Sequence, residues 1–321
     1  MGWSVSAEVR VVAVVVAYNR RDLLLEALDG LASQTRAVDA VVVVDNASTD
    51  DSGDVARSHP VGADVLTLER NTGGAGGFAV GIARALDVHA ADAVWIMDDD
   101  TVPTPGALAG LLEVRETSER TPAALGSRVV WTDGREHPMN RPRRRPGRSW
   151  AERDRRRGAL PVRSSSFVSF MLDGEAARRT PLPIVDYFIW NDDFEYSTRL
   201  LRRGDGYYCD GSVVVHKTTV LGSTDVDPGE RFYFEVRNKI WLFRFSRGLS
   251  FGEKIVYGAS TFRRWLRTLR RSTDPAVLRD AGWRGWRDGW RGRPRANREA
   301  LADVPTAAAV IAAYEAGGAR A

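Results

Sequence analysis

Val9-Arg-Val-Val-Ala-Val-Val-Val16 is an apolar run broken only by Arg10, β-branched at nearly every position, and followed by Tyr18-Asn-Arg20. A strand with one wet face alternates apolar and polar residues. A run without alternation describes a strand covered on both faces, as in a parallel sheet. Just beyond it, Leu23-Leu-Leu25, Leu28 and Leu31 recur at helical spacing, with Asn19 or Asp22 placed to cap the helix. Ala40 to Val44 is a second buried strand ending at Asp45, and Asn46-Ala-Ser-Thr-Asp-Asp51 is rich in turn and cap residues. Val65 to Leu68 reads as a third strand and Ala93 to Met97 as a fourth, with a helix over Gly76 to Val88 between them. Such alternation predicts an α/β fold: right-handed βαβ units making a mostly parallel sheet flanked by helices. Ligands of these sheets bind beyond the carboxyl ends of the strands, where Asp45, Asn71 and Asp98 all fall.

After Pro122 the pattern changes. Ala124 to Trp131 and Ser164 to Leu172 read as further strands, on either side of an Arg/Pro-rich loop at 141–157 that reads as mobile. Asp193 to Arg203 fits a helix, and Tyr207 to Val215 a strand ending at His216. From Glu230 onwards the chain reads as helices: 231–246, 251–271, a shorter one through Trp283 to Trp290, and an Ala-rich tail from Pro305 held loosely. The expected division is a catalytic domain over 1–228 and a helical C-terminal region over 229–321.

An apolar fraction of 43% with ten tryptophans in 321 residues supports a sizeable core and argues against disorder. The single cysteine, Cys209, excludes an intramolecular disulfide and fits a reducing cytoplasm. The N-terminus shows no basic flank before an apolar segment, and no run approaches the roughly 20 apolar residues of a membrane span. The expectation is a cytoplasmic protein. Net charge is only +4, but nine arginines lie in 141–157 and twelve in 263–298, the latter interleaved with Trp265, Trp283, Trp286 and Trp290. Patches of this kind suit nucleic acid, anionic lipid or phosphorylated substrates, or are simply solvated.

Met97-Asp-Asp-Asp100 follows an apolar strand directly. Carboxylates at i and i+2 project the same way from extended backbone, so Asp98 and Asp100 can share one Mg²⁺ or Mn²⁺, which would also ligate a diphosphate. A solvated acidic turn is the plain alternative. Asn71-Thr-Gly-Gly-Ala-Gly-Gly-Phe78 allows close backbone approach before a helix N-terminus, with Gly73 and Gly74 placed for nucleotide-sugar contact. No Gly-Lys-Ser/Thr follows, so it is not a P-loop. A bare glycine-rich connection is its alternative. Trp190-Asn-Asp-Asp-Phe-Glu195 offers paired carboxylates for general-base work, or a helix capped by Asp192. His216 after a strand is either structural or the imidazole that completes a metal site.

Six pieces in order over residues 9 to 217 resemble family 2 glycosyltransferases of the GT-A fold: Val15-Val-Ala-Tyr-Asn-Arg20, Val43-Val-Asp-Asn-Ala-Ser48, the glycine stretch, Asp98-Asp-Asp100, Trp190 to Glu195, and His216. Within that family the glycine stretch and Trp-x-Asp-Asp-x-Glu look most like bacterial galactofuranosyltransferases, with similar rhamnosyltransferases as the alternative. The resemblance implies an inverting transfer from UDP-galactofuranose, or from dTDP-rhamnose, to a lipid-linked or glycan acceptor of the cell envelope. It implies that Asp45 binds the nucleoside with Arg20 and Asn71 nearby, and that Asp98, Asp100 and His216 hold Mn²⁺ or Mg²⁺. It further implies Asp193 as the base, Asp192 and Glu195 on acceptor hydroxyls, and Trp190 stacked on a sugar. Some relatives carry Glu-Asp or Asp-Glu where this chain has Asp192-Asp193, so the choice of base is inferred.

A lipid-linked acceptor would place the enzyme at the inner face of the membrane. Trp283, Trp286 and Trp290, at spacings of three and four beside Arg284, Arg287 and Arg291, would then touch lipid. A core-packing stripe is the alternative, and Gly282, Gly285 and Gly289 weaken that helix unless packing holds it. A nucleic-acid-binding protein is the rival of another class, but the arginines avoid the expected sheet edge and no binding motif is present. A nucleotidyltransferase would want a basic signature in the first strand-helix loop, which Asn19-Arg-Arg21 matches poorly.

Overall fold

β1 (Val11–Ala17) is buried at all seven positions, as its unbroken apolar run requires. The computed structural model of the chain describes residues 8–145, 158–222 and 227–318. β2 (Ala40–Asp45) and β4 (Ala93–Asp98) pair with β1 in parallel on either side, and β3 (Asp64–Thr67) pairs with β2. The crossovers run through α1 (Arg21–Ala32), α2 (Ser52–Ser58) and α3 (Gly73–Asp87). Register sets Ala17 beside Asp45 and Val16 beside Asp98, so both acids stand on one edge of the sheet. Neither Asn19 nor Asp22 caps α1: Arg20 occupies the N-cap, and Asn19 turns away to accept from the Thr49 N–H.

The second half is mixed. β5 (Thr101–Pro103) and α4 (Ala107–Thr117) lead to β6 (Ala124–Val130), β7 (Arg143–Arg144), β8 (Ala159–Ser164) and β9 (Ser169–Asp173). After α5 (Gly174–Arg178) and α6 (Asp192–Leu200) comes β10 (Gly206–His216). The ten strands form one sheet in the order β3-β2-β1-β4-β9-β6-β10-β8-β7, with β5 on β10. β9 runs antiparallel between β4 and β6. The single strand expected over Ser164 to Leu172 is therefore two, because the chain leaves β8 and crosses to a different neighbour. Phe167, between them, packs its ring 4.9 Å from Phe78. Of the arginine-rich loop, 141–145 is described and the remainder, with its expected mobility, lies outside the described residues.

Period-2 alternation sends Val12, Val14 and Val16 into one core and Val11, Ala13 and Val15 into the other, one on each face of the sheet. The C-terminal helices are α7 (Phe232–Phe245), α8 (Phe251–Arg271), α9 (Pro275–Arg291), α10 (Asn297–Ala300) and α11 (Pro305–Gly318). The tail is not loose. Leu301, Val304, Ala307 and Ile311 are fully buried in the core that holds α3, because small residues on both helices let them approach closely. α9 starts earlier than expected, at Pro275, where Asp274 accepts from the Ala276 and Val277 N–H groups. Its glycines face α7: a Cβ on Gly285 would lie 2.5 Å from the Tyr233 carbonyl oxygen. The tryptophans consequently face outward, with Trp283, Trp286 and Trp290 exposed by 65%, 44% and 50%. They are not a core stripe. Several arginines of the basic C-terminal segment pair within the chain, Arg264 with Glu235 and Arg295 with Asp186 among them.

Candidate active site

β4 ends at Asp98, the chain turns at Asp99-Asp100, and β5 re-enters the sheet with Thr101 opposite His216 of β10. This pairing brings ligand atoms of Asp98, Asp100 and His216 within 4.8 Å of one another. Convergence thus comes from a turn and a strand pair, not from the extended i, i+2 backbone expected. Among the described residues Asp100 Oδ1 is buried without a hydrogen-bond partner, although His216 Nε2 lies 3.2 Å away. An unpaired buried carboxylate oxygen costs free energy that a cation would recover, so the donor set fits a hard divalent ion. The other ring nitrogen of His216, Nδ1, stands 3.0 Å from Asn140 Oδ1. Nδ1 donating there leaves the Nε2 lone pair for a metal, a tautomer assigned from this network.

Burial, followed by the charges of Asp100 and Asp99, pushes Asp98 well above the usual carboxylate range. Burial also raises Asp99, to about 6, although the Tyr18 N–H and Arg20 oppose it. For Asp100 burial is outweighed by His216 and Arg20, which hold it below that range. Arg20 spans Asp99 and Asp100, so it braces the acidic turn while half its side chain stays exposed.

Next to this cluster, Asp45 is buried and its Oδ1 accepts from the Ser48 N–H at 2.9 Å. Asn71 Oδ1 accepts from the Gly73 N–H at 2.7 Å. Asn46 pins the same segment, accepting from the Thr72 N–H at 2.8 Å and donating to the Gly73 carbonyl at 2.9 Å. The glycines form the first turns of α3 and not a loop before it. Gly73 has φ +70°, and a Cβ there would lie 2.0 Å from the Phe188 carbonyl oxygen, so only glycine fits. A Cβ on Gly74 would be 3.9 Å from Asp192 Oδ2, which places the start of α3 against the acidic pair.

Phe188, Trp190 and Asn191 have φ of 63°, 66° and 66°. Non-glycine residues held there cost about 1–3 kcal/mol each, and such strain gathers at functional sites. α7 supports the strain. Asn238 Nδ2 lies 2.8–2.9 Å from the carbonyl oxygens of Tyr187, Ile189 and Trp190, and Glu235 accepts from Asn191 Nδ2 at 2.8 Å. Asn191, not Asp192, occupies the N-cap of α6. Burial, then the charge of Asp193, pushes Asp192 up to about 8. Asp193 is also raised by burial, against the pull of the Phe194 N–H (2.6 Å), Lys239 and Arg143. Trp190 is partly exposed beside this pair, but Glu195 is not. Its carboxylate is 1% exposed and taken by Arg199 and by the Ser246 hydroxyl at 2.8 Å, so the expected acceptor role does not fit its placement.

Residues 12–178, just over half of the chain, match the family model Glycosyl transferase family 2. The chain is a family 2 glycosyltransferase. It is similar to galactofuranosyltransferase GlfT1 of Mycobacterium tuberculosis (strain CDC 1551 / Oshkosh), 32% identical over 250 residues that cover 71% of this chain and 80% of that protein. GlfT1 of Mycolicibacterium smegmatis is 32% identical over 202 residues, covering 60% and 66%. Among solved structures, S. aureus TarS 1–349 in complex with UDP-GlcNAc aligns with a TM-score of 0.59 at 17% identity, over 96% of this chain and 92% of that one. GalNAc-T7 with UDP, GalNAc and Mn²⁺ aligns at 0.54 and 14% identity, over 80% and 54%. These likenesses establish the GT-A fold.

In this glycosyltransferase the sequence motifs marked the acids but missed what orients them. Asn140 reaches His216 from the short helical turn Pro138–Asn140 before the arginine-rich loop, and Asn238 reaches the acid loop from α7. Glu235, Asn238 and Lys239, three polar residues at helical spacing among the apolar ones of α7, were the available signal.

Proposed function

We propose that this glycosyltransferase moves galactofuranose from UDP-galactofuranose to a lipid-linked or polysaccharide acceptor of the cell envelope, inverting the anomeric centre. The observation that carries the chemistry is the convergence of Asp98, Asp100 and His216 on one edge with the raised Asp192-Asp193 pair that follows the strained residues 188–191. Similarity to GlfT1 carries the choice of sugar. Asp98, Asp100 and His216 would hold Mn²⁺ or Mg²⁺, which supplies countercharge to the diphosphate leaving group. Arg20, Asp45 and Asn71, with the backbone at Gly73 and Gly74, receive the nucleotide.

Asp193 takes the acceptor hydroxyl proton as the acceptor oxygen bonds to the anomeric carbon and the bond to the diphosphate breaks. Burial and the charge of Asp193 push Asp192 up to about 8, whereas the Phe194 N–H, Lys239 and Arg143 pull Asp193 back, so the proton of the pair belongs on Asp192. That difference supports Asp193 as the base. Trp190 offers its ring to a sugar face.

The division at residue 228 gives a catalytic domain over 1–228 and a helical, membrane-associating region over 229–321, whose α7 also braces the acid loop. Among the described residues no helix is long and apolar enough to cross a membrane. The exposed Trp283, Trp286 and Trp290 support peripheral contact with the inner membrane face. Replacing all three by serine should cut binding to anionic vesicles at least about tenfold. Undiminished vesicle binding would end the membrane reading. For the donor, thermal melts with Mn²⁺ and UDP-galactofuranose, UDP-galactose or dTDP-rhamnose decide the sugar nucleotide, since binding stabilises the fold. Stabilisation by dTDP-rhamnose alone would replace galactofuranose with rhamnose.

A further inference from the structure

Asn191 holds the N-cap of α6, directly before Asp192 and Asp193, yet its side chain makes no capping bond. An N-cap asparagine ordinarily turns its side-chain oxygen onto the free N–H groups of its own helix. Here the amide turns outward, and Nδ2 donates to Glu235 Oε2 at 2.8 Å. The φ of 66° at Asn191, and with it the direction in which the first turn of α6 leaves, is therefore held from α7.

Glu235 is in turn held by α8. It is 9% exposed, and a carboxylate buried to that degree is costly unless paired. Its Oε1 takes both the Arg264 guanidinium and the Trp265 Nε1–H, the latter at 3.1 Å. Burial would raise its pKa, but Arg264 foremost, then Lys239 and the bonds from Asn191 and Trp265, hold Glu235 below the usual carboxylate range. It meets Asn191 as an ion, which is the stronger acceptor. α8 also grips α6 at two further points. The Tyr257 ring meets that of Phe194 edge-on at 5.3 Å. Glu253 pairs with Arg163, whose Nη1 donates to the Thr198 carbonyl at 2.7 Å. Spacings of four and seven put residues 253, 257 and 264 on one face of α8, so it follows α6 from the last turn to the cap.

We propose that Arg264 and Glu235 are positioning residues for the acid pair: through Asn191 they set where the Asp193 carboxylate stands, and α8 completes the active site. They act through Asn191 and not on the substrate. The relay rests on Asp193 being the base.

The full chain is assayed with Mn²⁺ for transfer from UDP-galactofuranose to a synthetic alkyl glycoside acceptor. Arg264→Met should lower kcat about tenfold, since a base displaced slightly is a poor one, with the KM for the donor unchanged. Arg264→Lys, which keeps the charge, should recover most of the loss. Asn191→Gly keeps the positive φ, deletes only the amide, and should cost about as much. Because both changes cut one relay, the double variant should be no slower than the slower single. Leu269→Ala loosens the packing of α8 on α7 without touching Glu235, so it should lower the melting temperature and leave kcat alone. Where Arg264→Met does not fold, Trp265→Phe, which removes the Nε1–H from that end, takes its place in the cycle. With Asp193→Asn inactive, an unchanged kcat in Arg264→Met overturns the relay. So do losses that multiply in the double variant, or an equal fall in Leu269→Ala, either of which would leave Arg264 a role in stability alone. If Asp193→Asn retains transfer, the base reading has failed and amide exchange over residues 189–194 decides the relay by itself. Faster exchange in Arg264→Met but not in Leu269→Ala upholds it, and equal rates overturn it.

Discussion

The metal end and the acid loop of this site are both built from carboxylates, yet they are held by different means. Asp98, Asp100 and His216 are placed by backbone register, β1 on β4 and β5 on β10. What is unsatisfied there is charge, seen in the Asp100 Oδ1 that accepts no hydrogen bond among the described residues. Asp192 and Asp193 are placed by side chains of a helix some forty residues further on, and what is strained there is backbone, in three residues of positive φ. A sheet edge is rigid and shared, which suits a diphosphate common to many donors. A loop held by a few long-range hydrogen bonds can be reshaped by changing those few residues, which suits acceptors that differ.

The sharpest break in that comparison is at the metal end. Asp98→Ala or Asp100→Ala should lower transfer on the order of 10³-fold and abolish metal-dependent UDP binding, with the melting transition kept. Chelation should do the same to the wild type. Turnover near normal in either variant would end the metal assignment. At the loop, Asp193→Asn should cost about 10²- to 10⁴-fold in kcat while UDP binding is untouched. If Asp192→Asn is the variant that behaves so, the base is its neighbour.

Asn238→Ala probes the support alone. It strands the Ile189 and Trp190 carbonyls, while Tyr187 keeps the Ile189 N–H, so about 2 kcal/mol of stability should go. The fall in kcat should be about 10- to 100-fold, because a base displaced slightly is a poor one. UDP binding measured with Mn²⁺ should not change. If UDP binding falls in parallel, the two regions are one cooperative unit and the contrast drawn between them fails.

How much of this was legible follows the same line. β1, β2 and β4 were readable from uninterrupted apolar runs, and their polar ends from the residues that follow, because both signals are local. That β9 would insert antiparallel beside β4, or that Thr101 would sit opposite His216, depends on partner choice between distant segments. No run length encodes it. Phe188 and Trp190 are not residue types that favour positive φ, so the strained loop had no local mark. Glu195 read as a site acid because it shares a motif with Asp193. Its helical spacing of four from Arg199 was the contrary signal, and it is the ion pair that formed. The tail read as loose because alanine carries little burial, whereas alanine is what lets α11 approach α3.

The smallest expected effect separates the two regions by pH. An unfolded aspartate titrates near 4, whereas Asp192 is raised to about 8 by burial and the charge of Asp193. Between these values the folded chain keeps a proton that the unfolded chain has released. More protons bound to the native state means that this residue's contribution to stability falls as pH rises through the window, and levels off above it. Asp192→Asn removes the titration, so its melting temperature should gain on the wild type steadily from pH 5 to pH 8. Repeating the pair of melts with saturating Mn²⁺ should raise both curves and shrink their difference, because Asp98 feels the charge of Asp192 and a cation at the strand ends also favours an ionised Asp192. A difference flat with pH would mean that Asp192 is already ionised in the folded protein. Asp193 would then lose the protonated neighbour that lets it act as the base.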